Sequence, residues 1–442
     1  MKKLEKRAII CLTLAFILFA GIGFFTFRFV THGGNWATFY ANDHIYEEGI
    51  LSVGKIFDRN GNLLAENKDG DVFYSDSETI RRATVHVVGD KHGNIASSAE
   101  SAFKDRLVGY SLLTGTYSLT GRGKEIHLAI DQDACETAYN ALGGRNGTIG
   151  VYNYETGEIL CLVSSPGFDP ANPPELTADD TSGIYINKFL SSTLIPGSIF
   201  KLVTTAAAID TLPDLDNWTY QCTGSKEISG EKITCPSVHG TVDLYGALAQ
   251  SCNCAYATLT LRVGAEVMEE YVDKLGLTKS YNVNGIETAK GKFVFPRDAR
   301  LNLGWSGIGQ YEDELNPCSM MTYMGAIAGG GKGAVPRLIK PKLPIKKYTD
   351  EMISEETASK VADMMKNNVK ANYGEGNFPG LDIYAKSGTA EVGGYKEPNA
   401  WFVGFIKNPD HPYAFVVCVE NGGYGSSVSG PIANTVLQSM VD

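Results

Sequence analysis

The stretch PGSIFKLVTTAAAID, residues 196–210, joins a chain break to a helix. Pro196 and Gly197 interrupt what precedes, and Leu202, Thr205, Ala206 and Ile209 then recur with the apolar spacing of a helix. Ser198 and Lys201 are three apart and therefore share one face. A serine hydroxyl is a poor nucleophile at its free pKa, and a lysine desolvated in a pocket is neutral enough to act as its base. The helix start adds a favourable dipole, and the Ser198 N–H can help hold an oxyanion. Taken alone, Ser-x-x-Lys is also a common chance pattern, a solvated lysine one turn after a serine.

Two further motifs follow in order. Ser251-Cys252-Asn253 ends HGTVDLYGALAQSCN (239–253), and Lys386-Ser387-Gly388-Thr389 interrupts the strand-like LDIYAKSGTAEV (381–392). Each has a bland alternative, a helix cap for the first and an edge-strand bend for the second. Three in this order form the Ser-x-x-Lys, Ser-x-Asn, Lys-Ser/Thr-Gly signature of serine acyltransferases of the penicillin-binding and β-lactamase type.

The flanking sequence predicts an α/β (α+β) fold in which an antiparallel sheet is packed by helices. GTIGVYNYETGEILCLVS (147–164) reads as a hairpin around Glu155-Thr156-Gly157; NAWFVGFI (399–406) and YAFVVCVEN (413–421) read as strands, and GPIANTVLQSMV (430–441) as a closing helix. Upstream, GKIFDRNGNLLAEN (54–67) alternates around Asn60-Gly61, a type I′ turn signal, with Asp58, Arg59 and Asn60 organising the hairpin. The run ATVHVV (83–88) reads as strand, within a small α+β membrane-proximal pedestal. The expected division is a cytoplasmic tail (1–7), a transmembrane anchor (8–30), the pedestal (31–145) and a catalytic domain (146–442).

The anchor follows from Lys2, Lys3, Lys6 and Arg7 preceding an apolar run, Ala8 to Val30, long enough to span a bilayer and lacking a convincing cleavage site. The basic flank places the N-terminus in the cytoplasm and the rest outside. Trp36, Phe39, Tyr40 and Tyr46 are expected at the membrane interface. A net charge of −11 argues against nucleic acid as a partner. Of nine cysteines, eight would lie where disulfides persist, and Cys222 with Cys235, in the loop-like excursion YQCTGSKEISGEKITCPSVHG (220–240), is the pair expected. A zinc reading through His239 is the weaker one, because no second close Cys or His pair accompanies it. Cys252 and Cys254 are expected to point to different helix faces as buried small apolar residues. His86 and His239 lack a partner constellation. Trp401 and Phe402 are expected as a buried aromatic pair rather than a stacking platform.

Beyond the three motifs, the chain resembles a class B penicillin-binding protein, a peptidoglycan D,D-transpeptidase, in a short form without C-terminal appended repeats. GKIFDRNGNLLA resembles that family's membrane-proximal signature, with Val53-Gly54 in place of its usual Arg-Gly. EIHLAIDQDACETAYNAL (125–142), the 147–174 stretch and KSGTAEVGGYKEPNAWFVGF (386–405) match as well. GIGQYEDELNPCSMM (307–321) departs, with Tyr311 for the usual glycine and Asn316-Pro317 for Thr-Pro.

The resemblance implies roles. Ser198 attacks the penultimate D-alanine carbonyl of a stem peptide, Lys201 accepts its proton, Ser251 relays a proton to the departing D-alanine, and Asn253 orients Lys201. Lys386 supplies positive potential; Ser387 and Thr389 bind substrate, Thr389 also completing the oxyanion hole, and Gly388 keeps the groove free of a side chain. Peptidoglycan stem peptides and β-lactams are the implied ligands, and a polytopic SEDS-type glycosyltransferase the implied membrane partner. No cofactor and no metal enters this expectation. The alternatives are a D,D-carboxypeptidase or β-lactamase-like hydrolase, for which no deacylating glutamate is identifiable, or a β-lactam sensor, for which the seven-residue tail is short.

Overall fold

The computed structural model describes every residue except 1, 41, 43, 44, 48, 49, 118–122, 178, 344, 345 and 442; the Lys2 side chain and the end of the pedestal loop at 118–121 lie outside the described residues. Helix α1 (Lys2–Ala37) carries an exposed run that is apolar on all sides, with Leu12, Phe16, Phe19 and Phe24 turned outward, and its last turns, at Gly33, are partly covered. A helix hydrophobic all round requires non-aqueous surroundings, and this one is long enough to cross a membrane. Trp36, Phe39 and Tyr40 are exposed, whereas Tyr46 is buried and donates its hydroxyl to the Thr38 carbonyl at 3.0 Å.

Next come β1 (Val53–Phe57), β2 (Leu63–Lys68), β3 (Asp71–Tyr74), α2 (Glu78–Val88) and β4 (Glu125–His127). They form a four-stranded sheet in the order β3-β2-β1-β4, antiparallel except for the β1–β4 pair. The hairpin is present, but its turn is not type I′. Only Gly61 has positive φ (+89°), and buried Asp58 organises a five-residue loop by accepting the N–H groups of Asn60 and Asn62, both at 2.8 Å. The ATVHVV stretch is helix rather than strand. Ser77 caps it by accepting the Ile80 N–H, and the residues from Ala83 to Val88 are all buried, so the helix started at that cap runs on through β-branched residues packed on every side.

Helix α3 (Gln132–Leu142), capped by Asp131, leads into the main sheet through β5 (Gly147–Asn153) and β6 (Ile159–Ser165). The chain then runs through a short 3-10 turn (Gly197–Phe200) into α4 (Lys201–Thr211). An excursion of short strands follows: β7 (Thr219–Cys222), β8 (Ser225–Ile228), β9 (Glu231–Thr234) and β10 (Gly240–Asp243). After it come α5 (Leu244–Ala249), α6 (Asn253–Val263), α7 (Pro317–Ala328) and α8 (Glu355–Asn368). The sheet is completed by β11 (Ile383–Ala390), β12 (Asn399–Ile406) and β13 (Tyr413–Val419), and α9 (Gly425–Val441) closes the chain.

The order β11-β12-β13-β5-β6 is antiparallel throughout, as the sequence predicts. Helices α3 and α9 pack together on it, while α7, with α8 beside it, packs on the same strands separately. Every residue of β6 and β12 is buried, which is why these strands read as continuous apolar runs rather than alternations. The edge strand β11 lies against the 3-10 turn.

Candidate active site

The turn before α4 is fixed from two sides. Gly197 has φ +57° and donates its N–H to Gly309 O at 2.8 Å, and a Cβ on it would meet Thr389 O at 2.7 Å. Glycine alone fits that approach. Ser198 is thereby held at the mouth of a groove of about 530 Å³, lined also by Ser251, Asn253, Ser387 and Thr389.

Lys201 is fully buried. Its Nζ lies 2.6 Å from Ser251 O, 2.8 Å from Asn253 Oδ1, 3.0 Å from Ser251 Oγ and 3.1 Å from Ser198 Oγ. Burial lowers its pKa to about 7, so the amine is substantially neutral near neutral pH. The carbonyl and amide oxygens can only accept, so they take both N–H bonds of the neutral amine. Its lone pair is left for a hydroxyl proton, and Ser198 Oγ is in reach.

Ser251 sits between α5 and α6 with φ +51°, an uncommon conformation for serine that turns both its carbonyl and its hydroxyl to Lys201. From the other side, Lys386 Nζ approaches Ser251 Oγ at 3.3 Å and donates to Ser387 O at 2.7 Å. Burial, and then the charge of Lys201, push the Lys386 pKa well down. Asn253 also donates to Thr234 O at 2.9 Å, tying the Ser-x-Asn segment to the excursion.

Two expectations about these motifs change. A Cβ on Gly388 would not obstruct the groove; it would strike Ile199 Cγ2 at 2.9 Å, Pro196 O at 3.0 Å and Trp401 Cβ at 3.1 Å, so this glycine lets β11 lie against the serine turn. Ser387 is oriented by a residue that sequence reasoning missed. Tyr373 accepts the Ser387 N–H and donates to Ser387 Oγ, both at 2.8 Å, while Asn368 donates to the Tyr373 hydroxyl at 2.9 Å. Its only sequence cue is position shortly before the Lys386 motif, and it lies in a π-turn (Val369–Tyr373) that no periodicity announces.

Trp305, Gln310, Glu391 and Tyr424 also line the groove without having been singled out. Trp401 and Phe402 are buried, Trp401 donating its indole N–H to Ile195 O at 2.9 Å. His86 is buried, with Nε2 2.8 Å from Ile184 O, and burial lowers its pKa to about 4. Tyr311 has φ +73°, the conformation a glycine would take without strain. Asn316 caps α7 through the Ser319 N–H and donates to the carbonyls of Phe189, Leu190 and Ser192, so this departure retains a cap.

The cysteines depart furthest from expectation. Cys222 and Cys235 lie 3.8 Å apart (Sγ–Sγ) as free thiols. Cys252 and Cys254 both reach Cys235, at 3.7 and 3.4 Å, and His239 Nδ1 is 3.4 Å from Cys222 Sγ. The helical-face argument for Cys252 and Cys254 fails because Cys252 is the extended N-cap of α6, from which its side chain turns back beside that of Cys254. His239 does have a constellation, assembled by the antiparallel pairing of β7 with β10.

A family model described as the penicillin-binding protein transpeptidase domain matches residues 147–438. Peptidoglycan D,D-transpeptidase PbpA of Mycobacterium tuberculosis is 29% identical over 360 residues, 72% of either chain. The PbpA of Mycolicibacterium smegmatis is 28% identical over 381 residues, 75% of this chain and 76% of its own. Among solved structures, penicillin-binding protein A from Mycobacterium tuberculosis is similar with a TM-score of 0.77 at 25% identity, covering 88% of this chain and 99% of that one. Its penicillin G acyl-enzyme complex gives the same TM-score and identity over 88% of this chain and all of the other.

Proposed function

The chain belongs to the penicillin-binding protein transpeptidase family, and from that membership we propose a residue-by-residue mechanism for a class B peptidoglycan D,D-transpeptidase that β-lactams acylate. Ser198 Oγ attacks the carbonyl of the penultimate D-alanine while neutral Lys201 takes its proton. The N–H groups of Ser198 and Thr389 face the oxyanion. As the C–N bond breaks, Ser251 passes a proton to the amine of the leaving D-alanine. An amine of a neighbouring stem peptide then attacks the ester on Ser198; the ester C–O bond breaks, the amine gives up a proton through Lys201 to Ser198 Oγ, and the free serine is restored as the cross-link forms. Asn253 holds Lys201, Lys386 and Thr389 receive the substrate carboxylate, and Ser387 keeps the strand in place through Tyr373. The observation that carries this reading is Lys201, whose Nζ has two pure acceptors on one side and Ser198 Oγ at 3.1 Å on the other.

The test is to label the full chain with a fluorescent penicillin, digest it and locate the adduct by mass spectrometry. An adduct on Ser198 that survives for hours supports a transpeptidase. A label elsewhere removes Ser198 from its role, and loss within seconds replaces the reading with a hydrolase.

The N-terminal apolar helix fits a single-pass membrane anchor. We extend the proposal to its orientation: the basic Lys3, Lys6 and Arg7 face the cytoplasm, with the catalytic unit (146–442) and the pedestal (31–145) outside. A polytopic SEDS-type glycosyltransferase supplies the glycan strand, engaging the anchor and the 54–67 hairpin. Glycan polymerisation from lipid II that proceeds equally with and without this chain would remove that partner.

A further inference from the structure

The geometry points to a metal site beside the catalytic groove, in which Cys222, Cys235, His239 and Cys252 hold one zinc ion. Their ligand atoms, three Sγ and one imidazole nitrogen, all lie within 4.8 Å of one another. Tetrahedral zinc with Zn–S bonds of about 2.3 Å has S···S edges of about 3.8 Å and, with Zn–N of about 2.0 Å, S···N edges of about 3.5 Å. The corresponding separations are 3.8 Å for Cys222–Cys235, 3.7 Å for Cys235–Cys252 and 3.4 Å for Cys222 Sγ–His239 Nδ1. A disulfide would need about 2.05 Å and would use only two of the four groups.

The surroundings suit thiolates. Cys222 and Cys252 are fully buried and Cys235 is half-buried. The Ala255 N–H donates to Cys252 Sγ and the Cys254 N–H to Cys235 Sγ, both at 3.4 Å, and Cys252 caps the N-terminus of α6. Cys254 is close but committed elsewhere, since its thiol donates to Ile233 O at 3.5 Å; it stays protonated beside the site. Three thiol protons leave to solvent as the ion binds, and a mixed sulfur and imidazole set of four closes the coordination as in structural zinc sites.

The position gives the site a purpose. Its ligands come from the end of β7, the residue after β9, the residue before β10 and the N-cap of α6. The ion would pin the excursion to the segment that carries Ser251 and Asn253 on either side of Cys252. Cys235 and Thr234 form part of the groove wall next to Ser198. Zinc here positions the residues that hold Lys201 and takes no part in bond-making.

The experiment is metal analysis of the full chain, purified in detergent with neither chelator nor added metal, together with thiol alkylation in denaturant and intact mass. The expected result is about one zinc per chain and every thiol free to alkylate. X-ray absorption should give sulfur neighbours near 2.3 Å and a lighter neighbour near 2.0 Å. Cys222→Ser and His239→Ala should each retain less than about a fifth of that zinc, and Cys254→Ala should retain it all. A zinc-free wild-type chain overturns the inference, whether its thiols are free or its mass shows a disulfide. Stoichiometric iron or copper in place of zinc, or His239→Ala with undiminished zinc, overturns it as well. The wild-type measurement does not depend on any variant folding, and penicillin labelling of Ser198 is read separately.

Discussion

Acylation of Ser198 by a penicillin is expected to rise with pH about an inflection near 7, set by Lys201. Burial lowers that amine from its ordinary 10.5 to about 7, a preference for the neutral form of roughly 5 kcal/mol. At pH 7.5 an ordinary lysine would be neutral about one time in a thousand, and Lys201 about three times in four. The second-order rate constant, followed by stopped-flow with a chromogenic cephalosporin, should fall about 90-fold from pH 8 to pH 5, in proportion to the neutral fraction. Lys386 shares Ser251 Oγ with Lys201, so the inflection belongs to the pair as a unit. Stability supplies a second readout with a definite sign. The unfolded chain protonates Lys201 below about 10.5 and the folded chain only below about 7, so stability rises with pH between those values, and below about 7 the full cost of the buried ammonium persists without further pH dependence. Lys201→Met should remove that slope and abolish labelling while leaving a folded domain. A rate constant that is level within twofold from pH 5 to pH 9, or an inflection near 10, would refute the assignment of Lys201 as the neutral base.

Three substitutions probe the supporting structure. Tyr373→Phe leaves the half-buried Ser387 N–H without its acceptor and should cost about 1–3 kcal/mol in chemical denaturation, with slower acylation; unchanged stability would show that water replaces the hydroxyl. Gly388→Ala forces β11 away from Pro196 and Ile199, for about 1–3 kcal/mol of overpacking, and should depress labelling more than stability; full labelling would mean that the serine turn yields freely. Asp313 is fully buried with neither carboxylate oxygen well bonded, and burial raises its pKa well above the usual range. The folded chain keeps the proton that the unfolded chain releases above about 3.8, so stability declines as pH rises past that value. Asp313→Asn should melt above the wild type at pH 7.5, with the gap closing below about pH 4; an equal gap at both pH values would assign the effect to packing.

The parts legible in the sequence are those where one local rule governs. The 147–164 hairpin and the strands at 399–406 and 413–421 are long, apolar and bounded by turn residues, and they stand where the periodicity puts them. ATVHVV misleads because its β-branched residues favour strand while the helix that the Ser77 cap starts carries them all into the core. Asn60-Gly61 misleads because the Asp58 carboxylate offers the backbone a wider loop. Ser198, Lys201, Ser251, Asn253 and the Lys386 motif were visible as short strings of residues that the fold then gathers around one groove. Tyr373 and the Cys222–His239–Cys252 assembly were not, because each acts through separations in sequence that only the folded chain closes.

On the proposed assignments, the two lysines also explain how the free site avoids working against itself. Lys201 and Lys386 reach the same Ser251 hydroxyl, at 3.0 and 3.3 Å, and both are fully buried. Burial lowers both pKa values, and the charge of Lys201 adds to the fall at Lys386. A stem peptide or a β-lactam brings a carboxylate to the Lys386 side. That charge favours the protonated form of Lys386 and, by doing so, disfavours the protonated form of Lys201, the one that cannot accept the Ser198 proton. Binding of the anion and readiness of the base are then coupled through the Ser251 hydroxyl. An ester analogue of the same penicillin, lacking the carboxylate, should lose rate in the acylation step as well as in binding, and its pH profile should shift upward. If the ester differs from the acid only in affinity, the two lysines act independently and Lys386 is a binding group alone.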